Sequence, residues 1–292
     1  MKFGEIDEEK VEAAILKPVT VVHGNFEYTF TDIVIEKDAA KTEYIYAKLA
    51  KYTPEGTVDI VEPKEHRAKE TDVPNLQVAT SEFVYLPQFS GIAYQNIWNK
   101  LGKDLFEKVF AELVAEKYQS FFAKTSIQPI SDLRSFVKKV VDMDHIMKIK
   151  AKVVPPNPLF GPAWRSLREY IKKRNIGELK AEERAADSSG VKTNIPALAQ
   201  ASTKDGGLTE GDVESLITSA QGGIVDPAVL MAADGYGVAT VEGMRGKSRV
   251  VVKTSESQMQ FLIEGDHTPE ELFVRARNVL VKINDDRYLD HQ

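Results

Sequence analysis

The chain has 292 residues, with 38 basic and 44 acidic side chains, a formal net charge of −6 and no cysteine. The lack of cysteine excludes disulfides, thiol nucleophiles, iron–sulfur clusters and cysteine-ligated zinc. A hydrophobic content of 42% and a charged content of 28% are typical of a globular protein and not of a disordered one. The N-terminus is acidic where a signal peptide is basic, and no apolar run approaches about 18 residues. We therefore expect a cytoplasmic protein without membrane insertion.

The first third of the chain is rich in residues that favour β-strands. Val19–Glu36 contains two such runs around His23-Gly24-Asn25, which predicts a hairpin. Pro54-Glu55-Gly56 has the composition of a second turn. The polar segment Glu62–Asn75 is expected to form a loop.

A helix is predicted at Asp104–Phe121, where Leu105, Val109 and Leu113 follow helical spacing. We place a domain boundary after it. Residues 1–122 are then a β-rich subdomain ending in a long helix, and residues 123–292 are a C-terminal α+β subdomain.

The C-terminal part contains a strongly basic strand. Lys148, Lys150 and Lys152 recur at every second position, which places them on one face of a strand. The alternate residues, from Met147 to Val153, are apolar and are expected to face a core. Asp132–Val141 is predicted to form the helix that precedes this strand.

A second basic element is predicted directly after this strand. Pro162 can open a helix that runs to Arg174. Its basic residues include Arg165, Arg168, Lys172 and Lys173, so the strand and the helix each present a positive face.

This basic region stands out against the acidity of the whole chain. Residues 130–185 carry 13 basic and 7 acidic side chains, a net charge of +6, so the remainder carries −12. Such an asymmetry can steer an anionic partner to one surface. A solvated strand and helix would have the same composition, so the pattern leaves both interpretations open.

The last third is predicted to contain a connector, a meander and a helix. Gly177–Gly207 is small, polar and interrupted by glycine, which is typical of a connector. Tyr236–Glu242, Arg249–Thr254 and Met259–Glu264 read as three antiparallel strands, followed by a helix capped by Thr268 that packs on them. The fold class is therefore α+β, with mostly antiparallel sheets packed with helices in two subdomains.

Candidate chemistry is sparse in this sequence. Asp142, Asp144 and His145 offer the oxygen and imidazole ligands of a divalent ion, although a polar loop has the same composition. Gly246-Lys247 lacks the remaining glycine and the following helix of a phosphate loop, and predicts a hairpin turn instead. We assign no catalytic residue, no metal ligand and no cofactor.

Three segments carry a family resemblance. They are SEFVYLPQFSGIAYQNI (residues 81–97), SIQPISDLRSF (residues 126–136) and VVPPNPLFGPAWRSLREYI (residues 153–171). In their order and local character they resemble the RexA-type lambdoid phage exclusion proteins and related bacterial phage-defence proteins. The resemblance implies a prophage-associated antiviral component, active in abortive infection, that binds DNA with little sequence preference and signals to an effector protein.

These observations give one leading functional expectation and two alternatives. The leading one is nucleic-acid binding without sequence specificity, most simply to DNA, by a homo-oligomer. Its contacts are expected from Lys148, Lys150, Lys152, Arg165, Arg168, Lys172 and Lys173. The first alternative is a metal-dependent nuclease that uses acids such as Asp142 and Asp144. The second is a structural subunit whose basic face docks an acidic protein partner.

Overall fold

A computed structural model describes residues 8–37, 43–119, 127, 130, 133–153, 165–196, 211, 223–257, 259–263 and 265–288. Within these ranges the protein contains two antiparallel sheets and six α-helices. The fold class predicted from the sequence, α+β with mostly antiparallel sheets, is therefore confirmed. The chain divides into two compact units. None of the helices in the described ranges is long and apolar enough to cross a bilayer.

The first unit comprises residues 1–127 and 263–280. Its elements are α1 (Glu8–Leu16), β1 (Val21–His23), β2 (Phe26–Lys37), β3 (Glu43–Glu62), β4 (Arg67–Leu86), β5 (Gly91–Tyr94) and α2 (Lys103–Lys117). The five strands follow one another in an antiparallel meander, β1-β2-β3-β4-β5. The hairpin predicted at His23-Gly24-Asn25 is confirmed, with Gly24 at φ +63° in the turn, a conformation that favours glycine.

Aromatic side chains form the centre of this unit. Phe30 of β2 and Phe83 of β4 lie edge to face with ring centroids 5.4 Å apart. Phe106 and Phe110 of α2 pack against Phe83 at 6.0 and 5.6 Å. All four side chains are buried, so α2 covers one face of the sheet.

The long β3–β4 hairpin differs from the sequence-based expectation. Pro54-Glu55-Gly56 does not form a turn, because β3 runs through it to Glu62. Most of Glu62–Asn75 is likewise not a loop, since β4 begins at Arg67 and the turn is confined to the four residues between the strands. The backbone ladder pairs Glu62 with Arg67 and Gly56 with Val73, and it needs no buried side chains to form.

The second unit comprises residues 128–262 and 281–292. Its elements are α3 (Leu133–Val141), β6 (His145–Val153), α4 (Arg165–Lys173), β7 (Leu179–Arg184), α5 (Val225–Met231), β8 (Gly237–Arg245) and β9 (Ser248–Lys253). The four strands form an antiparallel sheet in the order β7-β6-β8-β9. The division differs from the predicted boundary at residues 122 and 123, since residues 263–280 belong with the N-terminal part.

The predicted C-terminal meander is correct for two of its three strands. β8 and β9 are joined by the tight turn Gly246-Lys247, so the hairpin interpretation of that dipeptide is confirmed. Met259–Glu264 was wrong as a strand, because residues 259–263 have no regular structure and residue 264 lies outside the described residues. Part of Gly177–Gly207 is also more ordered than a connector, since it contains β7, whereas residues 197–207 lie outside the described residues.

The last helix, α6 (Pro269–Tyr288), begins as the sequence predicts. The Thr268 hydroxyl accepts a bond from the Glu271 amide, and the Glu271 carboxylate accepts one from the Thr268 amide, which forms a capping box. Its predicted packing on the C-terminal meander was wrong. Phe273 stacks on Tyr44 of β3 with ring centroids 3.9 Å apart, and the helix belongs to the first unit as far as Leu280.

Candidate functional site

Strand β6 lies inside the second sheet, between β7 and β8. Ile149, Ala151 and Val153 are at most 1% exposed and belong to the hydrophobic core of this unit. Because side chains alternate along a strand, Lys148, Lys150 and Lys152 project from the opposite face. The predicted alternation of lysine and apolar residues is thus confirmed over this part of the strand.

A β-bulge shifts the pattern at the start of β6. Ile146 pairs with Gly243 and Lys148 pairs with Glu242, so Met147 is the extra residue. As a consequence Ile146 is buried and Met147 is only half-buried, contrary to the expectation that Met147 faces the core. The bulge brings Met147 to the edge of the lysine-bearing side of the strand.

Neighbouring strands add further charges to the lysine-bearing side of the sheet, called the basic face below. Lys148 lies opposite Arg184 of β7, and Lys152 lies opposite Lys180. Among the described residues the basic face carries seven cations, against four carboxylates that contact them. The cations are Lys148, Lys150, Lys152, Lys180, Arg184, Arg249 and Lys253, and the carboxylates are Glu178, Glu182, Glu242 and Glu256. The net charge of the basic face is therefore +3.

Most of these cations are held by acidic neighbours. Lys152 and Lys180 each lie 2.7 Å from Glu178, and their hydrogen bonds lower the pKa of Glu178 to about 2. Lys148 lies 2.9 Å from Glu182 and lowers the pKa of that carboxyl group. These pairs hold the cations in place without neutralising all of them.

Arg249 shows the same arrangement, whereas Lys150 does not. Arg249 of β9 is paired with Glu242 of β8 and lowers the pKa of that carboxyl group. Lys150, in the centre of the basic face, is exposed and has no carboxylate within 4.0 Å among the described residues. Lys150 is therefore immediately available to an external anion.

A hollow of about 380 Å³ opens at one end of the basic face. Lys148, Arg184 and Arg249, from three different strands, contribute its cations. Met147 and Met244 supply apolar walls, and methionine side chains adapt to irregular surfaces. The Glu242 carboxylate, which pairs with Arg249, also lines the hollow, so its lining combines a net positive charge with apolar contact area.

The predicted basic helix, α4, does not lie on this face. Leu167 and Ile171 of α4 are buried in the same core cluster as Ile149 and Ala151, so α4 packs on the opposite side of the sheet. Its residues Arg165, Arg168 and Lys172 have side chains outside the described residues. Lys173 is exposed and lies 3.1 Å from Glu169. The structure therefore separates the two basic elements that the sequence suggested would act together.

Two of the three candidate metal ligands, Asp142 and Asp144, have other partners. Asp142 accepts hydrogen bonds from Arg245, with its carboxylate 3.4 Å from the guanidinium. The Asp144 carboxylate accepts a 2.6 Å bond from the Gly246 amide in the β8–β9 turn. His145 is exposed at the start of β6. No group of three potential metal ligands is found in the described ranges.

Sequence reasoning missed four basic residues of this face. Lys180 and Arg184 lie in a segment that we predicted to be a connector, and Arg249 and Lys253 lie in a strand far along the chain. The available signal was alternation: Lys180, Glu182 and Arg184 occupy every second position, as the lysines of β6 do.

Comparison with protein families gives one match. The family model "Domain of unknown function (DUF4747)" covers residues 11–222, which is more than half of the chain. The chain belongs to the DUF4747 family. Comparisons with curated proteins and with solved structures give no match. The family range includes β6 and β7, whereas β8 and β9 lie beyond its end.

Proposed function

We propose that this DUF4747 protein binds nucleic acid without sequence specificity through the basic face, as a cytoplasmic component of phage defence. The observation that supports binding is the cluster of seven cations on one side of a four-stranded sheet. The role in defence is supported by the resemblance to RexA-type exclusion proteins.

The spacing of the lysines suits a phosphate backbone. Same-face residues of a strand are about 6.6 Å apart, twice the rise per residue, and adjacent strands are about 4.8 Å apart. Lys148, Lys150 and Lys152 therefore form a row whose period is comparable to the separation of neighbouring phosphates along one nucleic-acid strand. Contacts to phosphates carry no sequence information, which gives non-specific binding.

The carboxylates of the basic face limit the affinity. An incoming phosphate has to compete with Glu178 for Lys152 and with Glu182 for Lys148, whereas Lys150 needs no such exchange. We therefore expect weak binding that falls steeply with salt, because each neutralised phosphate releases condensed counterions.

Replacement of Lys150 by Gln tests this proposal. The substitution removes one unpaired cation without exposing a carboxylate, so the fold should be unaffected. Affinity for a short random-sequence DNA duplex should fall. The plot of log K against log salt should become shallower, its slope changing by about 0.9 if one phosphate contact is lost. Fluorescence anisotropy across a salt series measures both quantities.

Lys138→Gln is the matched control. Lys138 is exposed on α3, in the same unit, and has no ion-pair partner among the described residues. It lies on the helical side of the sheet, so its loss should leave both affinity and salt slope unchanged. Equal effects of the two substitutions would show that only the overall charge matters and would contradict binding at the basic face.

Of the two alternatives, docking of an acidic protein is supported by the same positive charge. A nuclease is supported less, since Asp142 and Asp144 bond to Arg245 and Gly246. Incubation of DNA with magnesium or manganese separates these possibilities. Cleavage that disappears in Asp142→Ala or Asp144→Ala would favour the nuclease over simple binding.

A further inference from the structure

The outer half of the β3–β4 hairpin is an unsupported ribbon of two strands. β2 pairs with β3 no further than Tyr52, and β5 pairs with β4 only from Phe83 onward. Between Gly56 and Val73 the two strands pair only with each other among the described strands. An isolated two-stranded ribbon is only marginally stable in water, so a contact with another surface would stabilise a ribbon of this length.

The register gives the ribbon two different sides. On one side, Glu62 forms ion pairs with Arg67 at 3.2 Å and with Lys69 at 3.3 Å. The other side carries three carboxylates and no cation. It comprises Thr57, Asp59, Val61, Ala68, Glu70 and Asp72, all exposed, and is called the acidic ribbon face below.

The charges of the acidic ribbon face repel one another. Asp59 and Glu70 are direct cross-strand partners, and Asp72 lies two residues from Glu70 on the same strand. Like charges in such positions destabilise a strand pair. None of the three has an ion-pair partner within 4.0 Å among the described residues. A cationic partner would remove this repulsion.

The basic face of the second unit has the complementary charge and the same period. Glu70 and Asp72 are about 6.6 Å apart along β4, as are neighbouring lysines of β6, because both rows follow alternate residues of a strand. Each surface also has exposed valine: Val61 is 72% exposed on the ribbon, and Val238 and Val251 are 39% and 41% exposed on the basic face. The carboxylates of the acidic ribbon face can therefore contact lysines of the basic face while the exposed valines of the two surfaces contact each other.

We propose that the acidic ribbon face binds the basic face of a second copy of the chain. The contact is heterologous, since each copy contributes an acidic surface to one neighbour and a basic surface to another. It does not depend on nucleic-acid binding. Because both ligands use the basic face, nucleic acid and the ribbon of a second copy compete for it.

The test is sedimentation velocity over a range of protein and salt concentrations. Wild-type protein should self-associate with increasing concentration and dissociate as salt is added, because screening weakens contacts between exposed charges. The variant Asp59→Asn/Glu70→Gln/Asp72→Asn should remain monomeric. The proposal would be overturned if the wild-type protein is monomeric at every concentration. It would also be overturned if the ribbon variant associates as strongly as the wild type.

A matched control has the same change in charge elsewhere on the first unit. Glu9, Glu116 and Asp266 are exposed and form no ion pair with a described residue. Glu9→Gln/Glu116→Gln/Asp266→Asn should associate as the wild type does. If this control also becomes monomeric, net charge and not the ribbon governs association, and the proposal is wrong.

A mixture of a basic-face variant and the ribbon variant tests the heterologous contact directly, because each variant keeps one of the two surfaces intact. Lys150→Glu/Lys152→Glu keeps its ribbon and the ribbon variant keeps its basic face. Each alone should be monomeric, and an equimolar mixture should form a one-to-one complex. Absence of that complex, with both variants folded by circular dichroism, would contradict the pairing. The ribbon variant should still bind DNA, so failure of this proposal is distinguishable from failure of nucleic-acid binding.

Discussion

A single carboxylate anchors the segment that follows β7. Asp226 is 1% exposed, and it accepts hydrogen bonds from the Thr193 hydroxyl at 2.7 Å and from the Asn194 amide at 2.8 Å. Burial raises its pKa. The two donors belong to half-buried residues, so Asp226 supplies an acceptor to groups that are partly screened from water.

Asp226→Ala should destabilise the second unit by about 2–3 kcal/mol, because it leaves the Thr193 and Asn194 donors unsatisfied. Asp187→Ala is the control, since Asp187 is exposed and its carboxylate accepts hydrogen bonds from Ser189 within the same loop. Its effect should stay below about 1 kcal/mol. Urea unfolding of both variants measures the difference, and equal free energies of unfolding would contradict the anchoring role.

Glu178 gives a prediction for pH dependence. Its pKa of about 2 lies below the ordinary glutamate value of 4.5, so its stabilising contribution is complete above pH 4.5 and is lost as the pH falls towards 2. Since the group is close to the surface, the contribution is below about 1 kcal/mol.

The variant Glu178→Gln should therefore flatten the fall of unfolding free energy over the acid window from pH 4.5 to 2. Asp226 has the opposite sign: its pKa is raised, so its contribution decreases as the pH rises from 3.8 through the raised value. A pH series of urea midpoints for wild type and variant measures the effect. An unchanged acid limb in Glu178→Gln would show that its ion pairs with Lys152 and Lys180 do not contribute.

At the scale of elements, the ribbon should be dispensable for folding. Residues 57–72 contribute no side chain to the buried core of the first unit. Gly56 and Val73 are cross-strand partners, so an Asn-Gly turn can join them as a two-residue hairpin.

This shortened chain should keep its melting temperature within a few degrees and should lose self-association. Leu49→Ala provides the contrast, because Leu49 is fully buried and its truncation should cost about 2–5 kcal/mol. Differential scanning calorimetry compares the three proteins. Unfolding of the shortened chain would show that the ribbon supports the first unit after all.

The sequence predicted correctly those elements whose signal lies in a few neighbouring residues. The lysine strand, the Gly246-Lys247 turn and the Thr268 cap are local features whose chemistry does not depend on distant residues. The ribbon was missed because β3 and β4 are largely exposed there, and an exposed strand buries too little to leave an apolar pattern. Pro54, read as a turn residue, lies near a register irregularity at Lys51 and Tyr52, where strands tolerate proline.

The candidate site was predictable in one strand only. Alternation identified Lys148, Lys150 and Lys152, but the neighbours of β6 are fixed by long-range pairing that no local pattern encodes. The burial of Leu167 and Ile171 places α4 on the core side of the sheet, and this also depends on tertiary packing. A bulge of one residue at Met147 changed which side chain enters the core.

For the whole molecule, the distribution of charge matters more than its sum. A net charge of −6 opposes tight constitutive binding to DNA, while the basic face offers +3 to a ligand that approaches it. The acidic ribbon face contributes three carboxylates that have no ion-pair partner in the described part of the chain. Such a protein should bind anions weakly and in a salt-dependent manner, with access controlled by competing acidic groups.

Lysine footprinting tests the location of nucleic-acid binding most directly. The full-length protein is acetylated with and without a random-sequence DNA duplex at low salt, and modified lysines are quantified by mass spectrometry. We expect DNA to protect the lysines of the basic face, Lys148, Lys150, Lys152, Lys180 and Lys253. We expect the lysines on the helices behind the sheet, Lys138, Lys139 and Lys173, to react equally in both samples. Protection of the helix lysines with an unprotected Lys150 would contradict binding at the basic face.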